Sequence, residues 1–252
     1  VPKTAPKAKL VQSLQYGARV IPVDGNYDMA FDISMKYSDR TGCLSRNTAH
    51  NPMTIEGKKT AALEVFKDLG QLPDYVFIPV GDGVIISGVY KGFRDLMDLG
   101  ITDRIPKIIG VQSEGSDAIY RSFKANSEPS WEKDFTEVVP TSTVADSICV
   151  DIPRNGYYAL AMLRRYRGDV ITVSDEKIIE AQRRLPSITG LFSEPAGATS
   201  YAGFVAYRDN IDDNAKVVLL ITGNGLKDID GAMKGIDFPD RAIKDEKEAD
   251  EF

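Results

Sequence analysis

Histidine is nearly missing from this chain: His50 is the only one among 252 residues. A Ser-His-Asp triad or a multi-histidine metal site therefore has almost no material to be built from. Cysteine is scarcely commoner. Cys43 and Cys149 stand far apart with no Cys-x-x-Cys spacing, the pattern of two free thiols rather than of a disulfide framework or a zinc site. Long apolar runs are absent too, and "VVLLI" at 217–221 falls far short of the roughly 20 residues a membrane helix needs. Basic residues are not in excess. A net charge of −6 offers no electrostatic footprint for nucleic acid.

With 42% hydrophobic and 27% charged residues, the composition is that of an ordinary globular protein with a substantial core. One large domain, or one domain plus a piece of another, is expected. The start, "VPKTAPKAKL", has no apolar signal segment and no initiator Met, and its Val-Pro reads as the end of a strand cut within a domain.

The middle of the chain alternates between two kinds of segment. "ARVIPVDG" (18–25) reads as a short buried strand and "YDMAFDISMKYSD" (27–39) as a helix. In "EGKKTAALEVFKDLG" (56–70), Ala62, Leu63, Phe66 and Leu69 recur at helical spacing and Gly70 is a natural stop. "DYVFIPV" (74–80) is a continuous apolar run of the fully buried strand type. Ile86, Val89, Tyr90, Phe93 and Met97 then return to helical spacing before the strand "KIIGVQ" (107–112). Downstream, "NGYYALAMLRRYRG" predicts a helix, "DVITV" a strand, and "SDEKIIEAQRRL" a helix capped by Ser174. "EPAGATSYAGFVAYRDN" predicts a small-residue helix and "KVVLLIT" (216–222) a last buried strand. Strand, helix, strand in series means an α/β fold with a mostly parallel sheet.

The break between "DYVFIPV" and the next helix is Gly81-Asp82-Gly83. A hairpin does not fit, because the residues beyond the glycines have the period of a helix and not of a strand. A dinucleotide loop wants Gly-x-Gly-x-x-Gly and an acidic residue closing the next strand. Here the third glycine, Gly88, comes too late, and Glu114 lies beyond the polar end of "KIIGVQ". What remains is a loop exposing backbone N–H groups at a helix start, suited to a phosphate, or else a plain tight turn. Asp82 is compatible with a phosphate only if its side chain turns away.

Four segments in order resemble the large domain of threonine synthase, a pyridoxal-phosphate enzyme of the tryptophan-synthase-β fold. They are "NPMTIEGKKTAALEVF" (51–66), "PDYVFIPVGDGVIISGVYKGF" (73–93), "FSEPAGATSYAG" (192–203) and "LLITGNGLKD" (219–228). The first part of the chain is similar to that family's small domain. The resemblance implies a parallel-sheet enzyme of fold type II, with a partial small domain at 1–46 and a large cofactor-binding domain at 47–252. It places the cofactor phosphate on Gly81, Asp82, Gly83, Val84 and Ile85, and sets Thr222 against the pyridine nitrogen. It further implies a cytoplasmic homodimer acting on a small amino-acid substrate, with no nucleic-acid or membrane partner.

Two departures accompany the resemblance. The family's Ser-Phe-Lys-Asp-Arg type motif, whose lysine holds the cofactor covalently, is absent, as is its Ser-Gly-Asn loop. Lys58 and Lys59 lack that context and read as surface lysines, so no catalytic residue is assigned and the chain is expected to be a fragment. Second, Thr48, Ala49 and Thr54 stand where many threonine synthases carry the Asn, Ser and Arg that bind the substrate phosphate. Thr48, His50 and Asn51 are the substrate-side candidates, with Arg46 and Asn47 nearby. Conversion of O-phosphohomoserine and water to threonine and phosphate is the leading expectation. A β-eliminating or β-replacing enzyme acting on serine, threonine or O-phosphoserine is the alternative, and a noncatalytic anion- or partner-binding remnant the third.

Overall fold

The computed structural model describes residues 1–125, 140–240, 242–246 and 249. Among these residues, the strands Tyr75–Pro79 (β1), Lys107–Ser113 (β2), Asp169–Val173 (β3) and Val217–Leu219 (β4) form one sheet in the order β3-β2-β1-β4, every pair parallel. The helices are Lys7–Gln15 (α1), Tyr27–Thr41 (α2), Met53–Lys58 (α3), Thr60–Leu69 (α4), Val84–Asp98 (α5), Ala118–Lys124 (α6), Gly156–Arg165 (α7), Asp175–Thr189 (α8), Pro195–Tyr207 (α9) and Ile229–Met233 (α10). No helix among the described residues is long and apolar enough to cross a membrane.

Alternation along the central strands divides the core in two. Val76, Ile78 and Val80 pack with Tyr90, Phe93, Leu160 and Leu163 on one side. Phe77 points the other way and joins Ile109, Val111, Ile178 and Tyr201. Successive strand side chains face opposite sides of a sheet, so an unbroken apolar run is what a strand covered by helices on both faces requires. The small-residue α9 has ten of its thirteen residues buried, as expected of a helix apolar on every side.

Two strand expectations need correction. Residues 18–25 form no strand; they run alongside the N-terminus with a single parallel bridge between Pro2 and Val23, and Ile21 is exposed. Among the described residues the segment has no further strand with which to build a ladder. The last strand is paired over only three half-buried residues. Its ladder ends because the Leu220 N–H bonds the Phe77 carbonyl at 3.0 Å, which puts the next rung on Pro79, a residue with no N–H to give. Leu220, Ile221 and Thr222 therefore leave the sheet.

No residue of 1–46 enters either core cluster. Polar links tie this segment to the rest: Lys9 to Asp146 at 2.9 Å, Asn26 to Asp151 at 2.8 Å, Tyr27 to Asp82 at 3.0 Å, and Arg154 to Asp28 at 3.3 Å and Asp32 at 3.0 Å.

Helices α3 and α4 lie backbone-close on α5, where Gly88 and Gly92 clear the way. A Cβ on Gly88 would sit 2.6 Å from the Lys58 Cβ, and one on Gly92 would collide with the Lys59 carbonyl oxygen. Gly92→Ala is predicted to lower the urea midpoint of the protein. Overpacking costs about 1–3 kcal/mol, more than the ~1 kcal/mol that alanine recovers in helix propensity. An unchanged or higher midpoint would show that the two layers are not in backbone contact.

Candidate active site

The turn after β1 is arranged so that the Asp82 and Gly83 carbonyls are spent and its amides are free. Gly83 takes φ +84°, the left-handed region, as the residue before α5. The Asn155 N–H donates to the Asp82 carbonyl at 3.1 Å. The Asn155 side-chain amide donates to the Gly83 carbonyl at 3.1 Å and to the Ser87 hydroxyl oxygen at 2.7 Å. The Ser87 hydroxyl and N–H also donate to the Gly83 carbonyl, at 2.7 and 3.2 Å. Meanwhile none of the six backbone N–H groups from Gly81 to Ile86 has a protein acceptor among the described residues. Buried amides without partners are costly, and at a helix start they carry the positive end of its dipole. This donor set fits a phosphate.

Asp82 is turned away from that donor set. Its carboxylate accepts from the Tyr27 hydroxyl at 3.0 Å and from the Arg154 N–H at 3.3 Å. Burial pushes the Asp82 pKa up, and burial beside the Asp82 charge pushes the Tyr27 phenol up as well.

The loop opens on a cavity of about 890 Å³, a size suited to a cofactor with its substrate. Its wall brings together all five loop residues, Gly81, Asp82, Gly83, Val84 and Ile85, with Thr222 and Thr48. The Thr222 hydroxyl has no hydrogen-bond partner among the described residues, and Thr222 is an exposed residue of the cavity lining. Behind it, Gly223 is pressed against the Glu194 side chain, and its carbonyl accepts from the Glu194 N–H at 3.0 Å and the Ser193 hydroxyl at 3.1 Å. Glu194 is itself buried, between Lys9 at 3.7 Å and Lys227 at 3.8 Å.

His50 and Asn51 do not line this cavity. His50 is exposed. The Asn51 side chain is occupied locally: its amide donates to the Ser45 carbonyl at 3.0 Å, and its oxygen accepts from the Met53 N–H at 3.0 Å. The Thr54 hydroxyl is likewise spent on the Thr48 and Asn51 carbonyls.

Sequence reasoning also missed several contributors. Lys58 is not the surface lysine expected: it is half-buried and lines the cavity. The signal was available, since Lys58 lies one helical turn before Ala62 and two before Phe66, on the stripe that packs inward. Lys59 instead faces Glu56 at 3.0 Å and Asp95 at 2.8 Å. Asn155 carried no such signal, because its role depends on where α7 begins in space. Cys149 also lines the cavity, bonded to Thr141 at 3.3 Å, and burial pushes its thiol pKa up, away from the nucleophilic thiolate.

A donor set that fits a phosphate, at the carboxyl end of a parallel sheet and lining one cavity with an unpartnered hydroxyl, defines an α/β protein with a site suited to a phosphorylated ligand. The family description "Pyridoxal-phosphate dependent enzyme" matches residues 1–223. The chain belongs to that family, and the cofactor is pyridoxal phosphate. It is 36% identical over 234 residues to a threonine synthase of Methanocaldococcus jannaschii, covering 92% of this chain and 56% of the relative. To a threonine synthase of Synechocystis it is 38% identical over 226 residues, covering 90% and 56%. The chain thus spans a little over half the length of these curated relatives. Among solved structures, the processed form of threonine deaminase isoform 2 from Solanum lycopersicum superposes with a TM-score of 0.71 at 24% identity, covering 88% of this chain and 57% of that one. The parallel sheet with its two helical layers is the fold of the type II pyridoxal-phosphate enzymes.

Asn155→Ala is predicted to weaken pyridoxal-phosphate binding. Losing its side chain releases the Gly83 carbonyl and Ser87 and lets the amide cradle relax. A buried acceptor left with fewer donors costs about 1–3 kcal/mol, roughly a tenfold rise in the dissociation constant, measurable by fluorescence titration. Unchanged affinity would remove Asn155 from the account.

Proposed function

We propose that the protein is a threonine synthase, converting O-phosphohomoserine and water to threonine and phosphate. The observation that carries this reading is the similarity to threonine synthases of two organisms across nine-tenths of the chain, joined to a cavity lined by both Gly81–Ile85 and Thr222.

On this reading the amides of Gly81 to Ile85 hold the cofactor phosphate, and Thr222 offers its hydroxyl to the pyridine nitrogen. A neutral hydroxyl does not hold that nitrogen protonated as a carboxylate would, and so limits the charge on the ring. Bound pyridoxal phosphate supplies an electron sink for carbanions formed on an amino-acid substrate. Thr48, on the cavity wall, takes the substrate-side role. Asn51 shapes the loop that presents it, and His50 flanks that loop. Residues 1–46 form the partial small domain and 47–252 the large one. The polar seam between them, with Tyr27 on Asp82 and Arg154 on Asp28 and Asp32, is a surface that closes over substrate and excludes water.

A second reading, a β-eliminating lyase acting on serine or threonine, draws on one specific observation. Thr54 is committed to loop carbonyls and offers a substrate phosphate nothing. Phosphate release from O-phosphohomoserine against ammonia release from threonine, measured on the complete protein, separates the two. The synthase reading predicts the first and fails on the second.

Thr222→Ala is predicted to lower kcat about tenfold, the worth of one hydrogen bond near 1.4 kcal/mol, and to alter the absorbance of the bound cofactor. An unchanged kcat with an unchanged spectrum would place Thr222 away from the ring.

A further inference from the structure

We infer that Lys58 is the specificity-determining cation of this cavity, the group that receives the phosphate monoester of the substrate. The inference rests on the synthase reading for the identity of that substrate. Lys58 itself is singled out by geometry.

Among the described residues, the cavity wall carries five carboxylates against three lysines. An anionic substrate entering so acidic a space needs a cation that is not already neutralised. Lys9 is bonded to Asp146 at 2.9 Å and Ser147 at 2.9 Å. Lys227 faces the buried Glu194 at 3.8 Å. Arg154, behind the wall, is engaged by Asp28 and Asp32. Lys58 alone among the three lysines has no ion-pair partner among the described residues.

Its placement is built into the helix packing. The close approach of α3 to α5 at Gly88 starts the Lys58 stem one turn inside the helix whose N-terminus is the anion cradle. The loop amides are donors enough for the cofactor phosphate, and Lys58 brings a further, mobile charge to the same cavity. A lysine presents a compact point charge on a flexible stem, which suits an anion that must enter and then leave as product. The groups facing Lys58 fit this role. Partial burial lowers its pKa, and the Asp82 charge works in the opposite direction. A partly desolvated ammonium without a fixed counter-ion gains one when a phosphate arrives.

The test uses the complete protein with Lys58→Gln and Lys58→Arg. Three quantities are measured: the KM for O-phosphohomoserine, the affinity of the cofactor-loaded protein for inorganic phosphate by calorimetry, and the dissociation constant of pyridoxal phosphate by fluorescence. Lys58→Gln is expected to raise the KM and weaken inorganic phosphate about tenfold or more, as loss of a charge-assisted contact should. Cofactor affinity should stay within about twofold, and Lys58→Arg should restore phosphate binding in large part. In the unsubstituted protein, phosphate binding should weaken as pH rises through the depressed lysine pKa, and Lys58→Gln should lose that dependence. Unchanged phosphate affinity in Lys58→Gln overturns the proposal. So does a selective loss of cofactor affinity, which would put the lysine on the cofactor's own phosphate. If the unsubstituted protein releases no phosphate from O-phosphohomoserine, the synthase reading fails, and the calorimetric arm still decides the role of Lys58.

Discussion

Six backbone N–H groups with no acceptor among the described residues are what the rest of this structure is organised around. Buried amides ordinarily find partners, and a turn that leaves a run of them open is stable only if everything else in the turn is tightly held. Here that holding is done from behind. Asn155 binds two loop carbonyls, one through its backbone and one through its side chain, while Ser87 ties the Gly83 carbonyl from one turn further along α5. The residue that precedes α7, Asn155, therefore determines how rigid the cradle is, though it lies some 70 residues downstream.

A second constraint comes from Pro79. Placed on the side of β1 that faces β4, it ends the ladder after Leu219 and releases Thr222 toward the cavity. The same residue closes β1 just before the glycine turn. One imino acid thus helps to fashion two parts of the cavity lining, the amides after β1 and Thr222 after β4.

Much of this was legible in the sequence, for a definite reason. β1 and α5 carry strong, opposite periodicities with Gly81-Asp82-Gly83 between them, and both elements form where those patterns change. Ser174 caps α8, accepting from the Lys177 N–H, as its position before two acids implied. What could not be read depended on long-range contacts. Residues 18–25 have strand composition, but among the described residues they pair only through the single bridge of Val23 to Pro2. The tail of "KVVLLIT" was lost to the sheet through a proline in a different strand. The two lysines are a different case: Lys58 and Lys59 are alike in composition, and only the helical spacing to Ala62 and Phe66 marks Lys58 as the inward one while Lys59 turns to Asp95. Both lie against α5, and one step along the chain turns the side chain from the cavity to the acidic groups Glu56 and Asp95.

The polar character of the contact made by residues 1–46 completes the picture, because a seam of ion pairs and hydrogen bonds opens and closes more readily than a shared apolar core. The most direct test of the account is a crystal structure of the complete protein grown with pyridoxal phosphate. The account predicts the phosphate oxygens within hydrogen-bond reach, about 3 Å, of the backbone nitrogens of Gly81 to Ile85, with the pyridine nitrogen turned to Thr222. A phosphate bound elsewhere, with those amides facing only solvent, would contradict it.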